Sequence, residues 1–294
     1  RRAMPWFGDA GLMFYRKDLL EKYGKAEPKT WAELTETAKS VQEQERTAGN
    51  KDMWGYVWQG RAYEGLTCDA LEWVASYGGG TFISPDGEIT ANNPKAIEAL
   101  ELARTWIGGI SPEGVLNYDE EGSRGVFEAG NSIFHRNWGY VWGTSQAEGS
   151  SLLGKVGVMA LPVGAEGEKS SGCYGAGLLG VSKYADDVDA AVSLVQYLTN
   201  AKEQKRRALQ GYSPTLKALY QDTEILEKNP SLRFAEKAYA ESASRPSQVT
   251  GASYNRVSQR IFNGVHNVLS GKESAGDALA KVSSDLERLK KRGW

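Results

Sequence analysis

Histidine is almost missing from these 294 residues, and cysteine is equally scarce: His135, His266, Cys68 and Cys173 are all there are. The two histidines lie far apart, and neither has a His or Cys at metal-ligand spacing, so no metal site is expected. Any Ser-His-Asp relay would have to be built on one of them. No G-x-S-x-G elbow, Walker loop or H-E-x-x-H occurs either. Hydrolytic and metal chemistry therefore have few residues to recruit. Two cysteines are too few for a disulfide framework. One bridge in an oxidising compartment and two buried thiols are both open readings.

An excess of one charge sign is also lacking. With 35 Lys and Arg against 37 Asp and Glu, the net charge is −2, which gives no footprint for nucleic acid or a membrane surface. The runs Lys205-Arg206-Arg207 and Lys290-Lys291-Arg292 fall in or near predicted helix ends. Cations complement the helix dipole there, and both runs are expected to be solvated. No apolar run approaches the roughly 18 residues of a membrane span. The opening RRAMPWFGDAG lacks the apolar stretch of a secretory leader. No repeat or low-complexity segment appears.

Helix punctuation, by contrast, is plentiful. Thr30-Trp31-Ala32-Glu33 reads as a capping box, followed by Leu34, Ala38 and Val41 at helical spacing. Asn93-Pro94 is an N-cap with proline at the first helical position, and Gly108-Gly109 ends that helix. Residues 64–77 form a helix stopped by Gly78-Gly79-Gly80. Further helices are predicted over 187–199, 201–209, 253–270 and 274–291. Short strands are predicted over Leu12–Tyr15, Gly55–Trp58, Ser132–Arg136, Val156–Leu161 and Leu178–Ser182. The alternation indicates an α/β chain. The stretch from Leu161 to Gly177 is a loop or a crossing between lobes. Gly175 to Gly180 match G-x-G-x-x-G, but no helix N-terminus directly follows to receive a pyrophosphate, so nucleotide binding is not expected.

Aromatic residues are the loudest feature: 9 Trp, 14 Tyr and 7 Phe. Many stand beside polar groups, as in Trp6-Phe7-Gly8-Asp9, Trp58-Gln59-Gly60-Arg61-Ala62-Tyr63-Glu64 and Arg136-Asn137-Trp138-Gly139-Tyr140. That mixture suits a sugar, whose C–H faces pack on rings and whose hydroxyls seek carboxylates, amides and guanidinium groups. Rings in alternation also describe a core strand, and Trp31 and Trp106 are expected in the core. If residues 136–143, RNWGYVWG, were a strand, Trp138, Tyr140 and Trp142 would share one face.

Several segments, taken in order, resemble one family. They are PWFGDAGLMFYRKDLLEKYG, TWAEL, GYVWQGRAYEGLTCDALEWVASYGG, RGVFEAGNSIFHRNWGYVW, KVGVMALP and SRPSQVTGASYNRVSQ. Together they are similar to the extracellular sugar-binding proteins of bacterial ABC importers, in the trehalose/maltose-binding branch. The resemblance implies a type II periplasmic-binding-protein-like α/β fold with two lobes around a hinged cleft. Residues 1–176 would form the first part of the C-terminal lobe, with a hinge strand at 1–11. Residues 177–219 would belong to the N-terminal lobe, and 220–294 would complete the C-terminal lobe. Most of the N-terminal lobe would precede the position of Pro5, so this chain alone is expected to bind sugar weakly.

The resemblance also implies a site. Phe7 and Asp9 match a cleft aromatic and a hydroxyl-accepting carboxylate, and Trp138 and Tyr140 match stacking rings. Gly175, Ala176 and Gly177 match a backbone stretch that meets the ligand, and Arg245 matches a hydroxyl clamp. Gln59, Arg61, Tyr63 and Glu64 lie where further cleft residues are found, while Trp142 is expected in the core. Relatives often carry Gly-Gly-Trp where this chain has Gly175-Ala176-Gly177, and Tyr174 is the candidate to replace that ring. The implied protein is a monomeric, non-catalytic receptor without cofactor or metal, periplasmic or extracellular, free or lipid-anchored. Its partners would be an α-linked disaccharide or glycoside and a membrane permease served by a separate ATPase. The rival readings are a glycosidase using Asp9 and Glu64 and a hinge-free sugar-binding adhesin.

Overall fold

The computed structural model describes residues 3–294, so positions 1 and 2 of the expected hinge strand lie outside the described residues. Strand β1 (Met4–Ala10) passes through Gly11 into β2 (Leu12–Arg16). Helices α1 (Lys17–Lys22) and α2 (Trp31–Thr47) follow, then β3 (Trp54–Val57). Next come α3 (Glu64–Ser76), α4 (Pro94–Trp106) and α5 (Glu120–Glu128). Strand β4 (Ser132–Asn137) leads to the short α6 (Tyr140–Ser145), β5 (Val156–Met159) and β6 (Tyr174–Leu179). The remainder is helical: α7 (Val188–Thr199), α8 (Ala201–Ala208), α9 (Thr223–Lys228), α10 (Ser231–Ala240), α11 (Ser247–Thr250), α12 (Tyr254–Leu269) and α13 (Ala275–Lys290).

The helices start where local chemistry supplies caps. Both capping-box bonds form at Thr30 and Glu33, and the Asn93 side chain accepts the Ala96 N–H ahead of a helix opened by Pro94. Four strands form a sheet in the order β3-β4-β2-β5, with β3 and β4 parallel and the other pairs antiparallel. All five residues of β2 are buried because helices cover both faces. One face packs on α2, α3, α4, α12 and α13 around Trp31, Trp58, Trp73 and Trp106. Trp58 and Trp73 meet edge-on at 4.9 Å, and Trp73 meets Trp106 at 5.5 Å. Trp31 and Trp106 are thus core residues as expected, and Trp58 joins them although its sequence neighbours are polar. The other face packs Leu12, Phe14 and Val57 on Phe127, Val141 and Leu152.

β1 and β6 pair as a separate two-stranded antiparallel ribbon, with Asp9 opposite Gly175 and Phe7 opposite Gly177. This corrects the predicted strand at Leu178–Ser182: it starts at Tyr174, and most of the glycine motif lies inside it. The glycines are suited to this place because Phe7 of β1 lies where a side chain on Gly177 would project. β6 and α7 present an apolar face outward, with Leu178 61% and Leu194 57% exposed. α8 instead packs through Ala208 on Tyr220, Ile225, Leu232 and Ala235.

The strand predicted over Ser132–Arg136 is found and runs one residue further, to Asn137; Tyr140 and Trp142 of RNWGYVWG fall on α6, so its three rings do not share a strand face. The ladder ends because Gly139 N–H turns to Asp9 Oδ1 while Val141 and Trp142 N–H bond back to Trp138 and Gly139. The run Lys205-Arg206-Arg207 is not simply solvated. Arg207 is buried with its guanidinium carbon 4.0 Å from the Trp6 ring centre and 4.6 Å from that of Tyr212. Lys205 bridges Asp222 and Glu224, and Arg206 pairs with Glu203.

Candidate functional site

A cleft of about 400 Å³ opens where the β1/β6 ribbon leaves the main sheet. Asp9, Gly175 and Ala176 come to it from the ribbon, and Tyr63, Glu64, Gly65 and Cys68 from the start of α3. Glu120 and Glu121 come from the N-terminus of α5, with Trp138 and Tyr140 beyond β4, and Phe7 and Arg245 complete the lining. Nine of the twelve residues singled out in the sequence therefore meet in one place.

Each carboxylate in the lining holds a neighbour in position. Glu120 accepts the Tyr63 hydroxyl at 2.6 Å on one oxygen and Trp138 Nε1–H at 3.2 Å on the other. One side chain thus ties together two rings carried by different elements. Glu121 accepts the Tyr140 hydroxyl at 2.7 Å. Burial pushes the Glu121 carboxyl up, but hydrogen bonds from Arg124 and Tyr140 outweigh it and hold the group below its ordinary range. Glu64 accepts from Arg245 Nη1 at 2.5 Å and from the hydroxyls of Tyr254 and Ser258. Arg245 also donates to the Tyr174 carbonyl at 3.2 Å, which anchors it over the start of β6.

Asp9 accepts the Gly139 N–H at 2.9 Å. Burial raises its carboxyl to about 7, against the opposing pull of that hydrogen bond and of the Arg136 charge. The indole of Trp138 lies against Gly175, where an added Cβ would stand 3.3 Å from the ring. Tyr63 and Tyr140 hydroxyls are held above their ordinary range by burial and by their carboxylate acceptors.

A buried ionic layer lies beneath this lining. Arg136 donates to both oxygens of Glu72, through Nε at 2.7 Å and through Nη2, and Asp69 Oδ1 lies 2.9 Å from the same Nε but out of line for a hydrogen bond. Arg136 Nη1 donates to Gln59 Oε1 at 2.8 Å, and Glu72 Oε1 accepts the Cys173 N–H at 2.8 Å. Gly11 makes room for this layer, because any side chain there would run into Glu72 and Arg136.

Three of the twelve residues are placed elsewhere. Gln59 is fully buried in the ionic layer, bonded to Ser123 and the Arg136 carbonyl, so it supports the floor and does not line it. Arg61 is exposed at the rim, paired with Asp119 at 3.0 Å and stacked 4.5 Å from the Tyr63 ring centre. Gly177 sits under the Phe7 ring. Tyr174 does not replace the ring that relatives carry nearby. It points to the other side of the ribbon, 5.6 Å from Tyr239. Glu120, Glu121, Gly65 and Cys68 were not singled out in the sequence as cleft residues. The acidic pair directly after Asp119, an N-cap, looks like ordinary helix-dipole chemistry, and nothing in its local sequence set it apart.

Among the described residues no group of three or more His, Cys, Asp or Glu is arranged to hold a metal ion. The lining combines four aromatic rings with hydroxyl acceptors and one guanidinium. It can therefore take a ligand with flat apolar faces and a polar hydroxyl rim.

The sequence pattern of bacterial extracellular solute-binding proteins matches residues 2–205. A probable ABC transporter-binding protein of Deinococcus radiodurans is 47% identical over 294 residues, covering 99% of this chain and 70% of that protein. The maltose-bound MalE3 of T. maritima superposes with a TM-score of 0.90 at 37% identity, over 98% of this chain and 72% of that one. A solute-binding protein of Agrobacterium radiobacter K84 in complex with ribitol superposes at 0.82 with 23% identity, over 98% of this chain and 71% of that one, a likeness of fold.

Proposed function

The chain belongs to the bacterial extracellular solute-binding protein family, and from that premise we propose that it is the sugar receptor of an ABC importer. Its ligand is an α-linked disaccharide or related glycoside of the trehalose, maltose, sucrose or glucosyl-polyol class, held in the cleft and passed to a membrane permease. The observation that carries this reading is the convergence of Phe7, Tyr63, Trp138 and Tyr140 with Asp9, Glu64, Glu120, Glu121 and Arg245 around one opening. Rings stack on the pyranose C–H faces, the carboxylates accept hydroxyl protons, and Arg245 donates. The tether of Tyr63 and Trp138 to Glu120 presets ring spacing before a ligand arrives, which lowers the ordering cost of binding. The maltose carried by the T. maritima protein supports the α-glucoside class.

The two-stranded ribbon is the natural bending element of such a receptor, since it forms a sheet of its own and leads directly into the main sheet. The protein works in the periplasm or outside the cell, as a monomer. Tryptophan fluorescence titrated with a panel of sugars up to high millimolar concentration tests the reading. Saturable change with one or a few α-glucosides is expected, together with a raised Tm. A flat response across the panel would remove the sugar assignment. Steady release of product from an aryl α-glucoside would replace the receptor with a glycosidase that uses Asp9 and Glu64.

A further inference from the structure

We propose that Cys68 and Cys173 form a thiol–disulfide site that, when oxidised, staples α3 to the segment entering β6 at the floor of the cleft. Glu64, Cys68 and Glu72 are spaced four apart on α3 and so share one face of that helix. The two glutamates grip the backbone on either side of the Cys173 side chain. Glu72 accepts the Cys173 N–H at 2.8 Å, and Glu64 holds Arg245, which donates to the Tyr174 carbonyl. Cys68, midway between them, is thereby set against Cys173, whose Sγ lies 3.8 Å from the Tyr174 carbonyl that Arg245 also holds. Both are free and buried, with Cys68 reaching the cleft lining.

The chemistry needs an oxidant with a disulfide, such as oxidised glutathione or a disulfide-bearing thiol oxidase. The Cys68 thiolate attacks that disulfide and releases one thiolate, leaving a mixed disulfide. Cys173 then attacks Cys68 Sγ and releases the second. Two electrons pass from the cysteines to the oxidant, and the two cysteine protons end on its released thiolates. The neighbouring Cys173 and burial hold the Cys68 thiol well above its ordinary value, while Arg245 and Arg136 pull the other way. Exchange in the folded, reduced protein is therefore slow, and the bond forms as the chain folds. The bond fixes the Cys173 end of β6 and leaves Gly175 to Gly177 free to bend. It also closes a loop of about 105 residues, the long-loop case in which a crosslink constrains the unfolded chain most.

The test does not depend on the sugar reading. The full chain is refolded from denaturant with a glutathione redox pair, then assayed for thiols in denaturant and by mass. Loss of both thiols, about 2 Da less mass and a linked peptide joining residues 68 and 173 are expected. The oxidised form should melt about 5–10 °C above the same protein treated with reductant. C68S and C173S should each melt with no response to reductant. Two titratable thiols after oxidative refolding, or a melting temperature indifferent to reductant in the parent chain, overturns the proposal. Because the thiol count is read on the parent chain, it decides the matter even if a serine variant fails to fold.

Discussion

The guanidinium carbon of Arg136 lies 4.2 Å from the ring centre of Trp138. The ring that lines the cleft is thus seated on the cation at the centre of the buried ionic layer, which couples the ligand surface to the core. Arg136→Met leaves Glu72 and Asp69 buried without their counter-ion. A loss of about 3–5 kcal/mol in urea unfolding is expected, since breaking a buried pair strands a charge.

Trp138 and Trp142 should respond differently. Trp138→Ala removes a stacking ring and a cation–π partner, so the sugar-induced fluorescence or Tm response should vanish at a stability cost of about 1–2 kcal/mol. Trp142 packs on the second core cluster and donates to the Lys228 carbonyl at 3.0 Å. Trp142→Ala should cost about 2–3 kcal/mol while the surviving folded protein keeps its sugar response. Equal stability losses, with sugar response intact in both variants, would return Trp138 to a purely structural role.

Gly177→Ala tests the placement of Phe7. A Cβ at that position overlaps the Phe7 ring, which must move away from the cleft. The fold should survive at a cost of about 1–2 kcal/mol, with sugar affinity falling about tenfold. Adding Phe7→Ala to that variant should lower affinity little further, because both changes remove the same contact. Calorimetric titration of the parent and the two variants reads this out.

Asp9 and His135 carry opposite pH dependences. Burial raises Asp9 from 3.8 to about 7 and lowers His135 from 6.5 to about 3. Between about pH 4 and 6.5 the folded chain keeps a proton on Asp9 that the unfolded chain releases, so this group makes stability fall as pH rises. His135 is neutral when folded and protonated when unfolded in the same window, so it makes stability rise with pH. The two slopes largely cancel. Asp9→Asn removes only the first, and the variant should gain stability with pH by up to about 1.4 kcal/mol per unit relative to the parent. Urea midpoints at several pH values across the window check the difference. Parallel profiles would show that Asp9 titrates as an ordinary carboxylate.

Helix boundaries were legible because their causes are local. The Thr30–Glu33 capping box and the Asn93-Pro94 start each form among residues within one turn. Residues such as Asp9, Trp138 and Arg245 became visible only through ordered motifs that resemble a family, since neither periodicity nor composition separates a cleft ring from a core ring. Trp58 makes the point: it stands among polar neighbours in sequence and is fully buried against Trp73. Glu120 makes the converse point. Its position after an N-cap reads as helix electrostatics, while its contact with Tyr63 spans 57 residues.

Sequence alone determined the α/β class, the caps and the shortage of catalytic and metal-binding residues, because composition and short-range hydrogen bonding act within a few positions. Tertiary structure alone decided that β6 begins at Tyr174, that Tyr174 turns away from the cleft while Phe7 covers Gly177, and that Gln59 belongs beneath the floor. Those outcomes depend on which surfaces meet when β1 pairs with β6 and Arg136 is buried between Glu72 and Asp69. Such long-range pairings are set by burial and by the need to satisfy every buried charge.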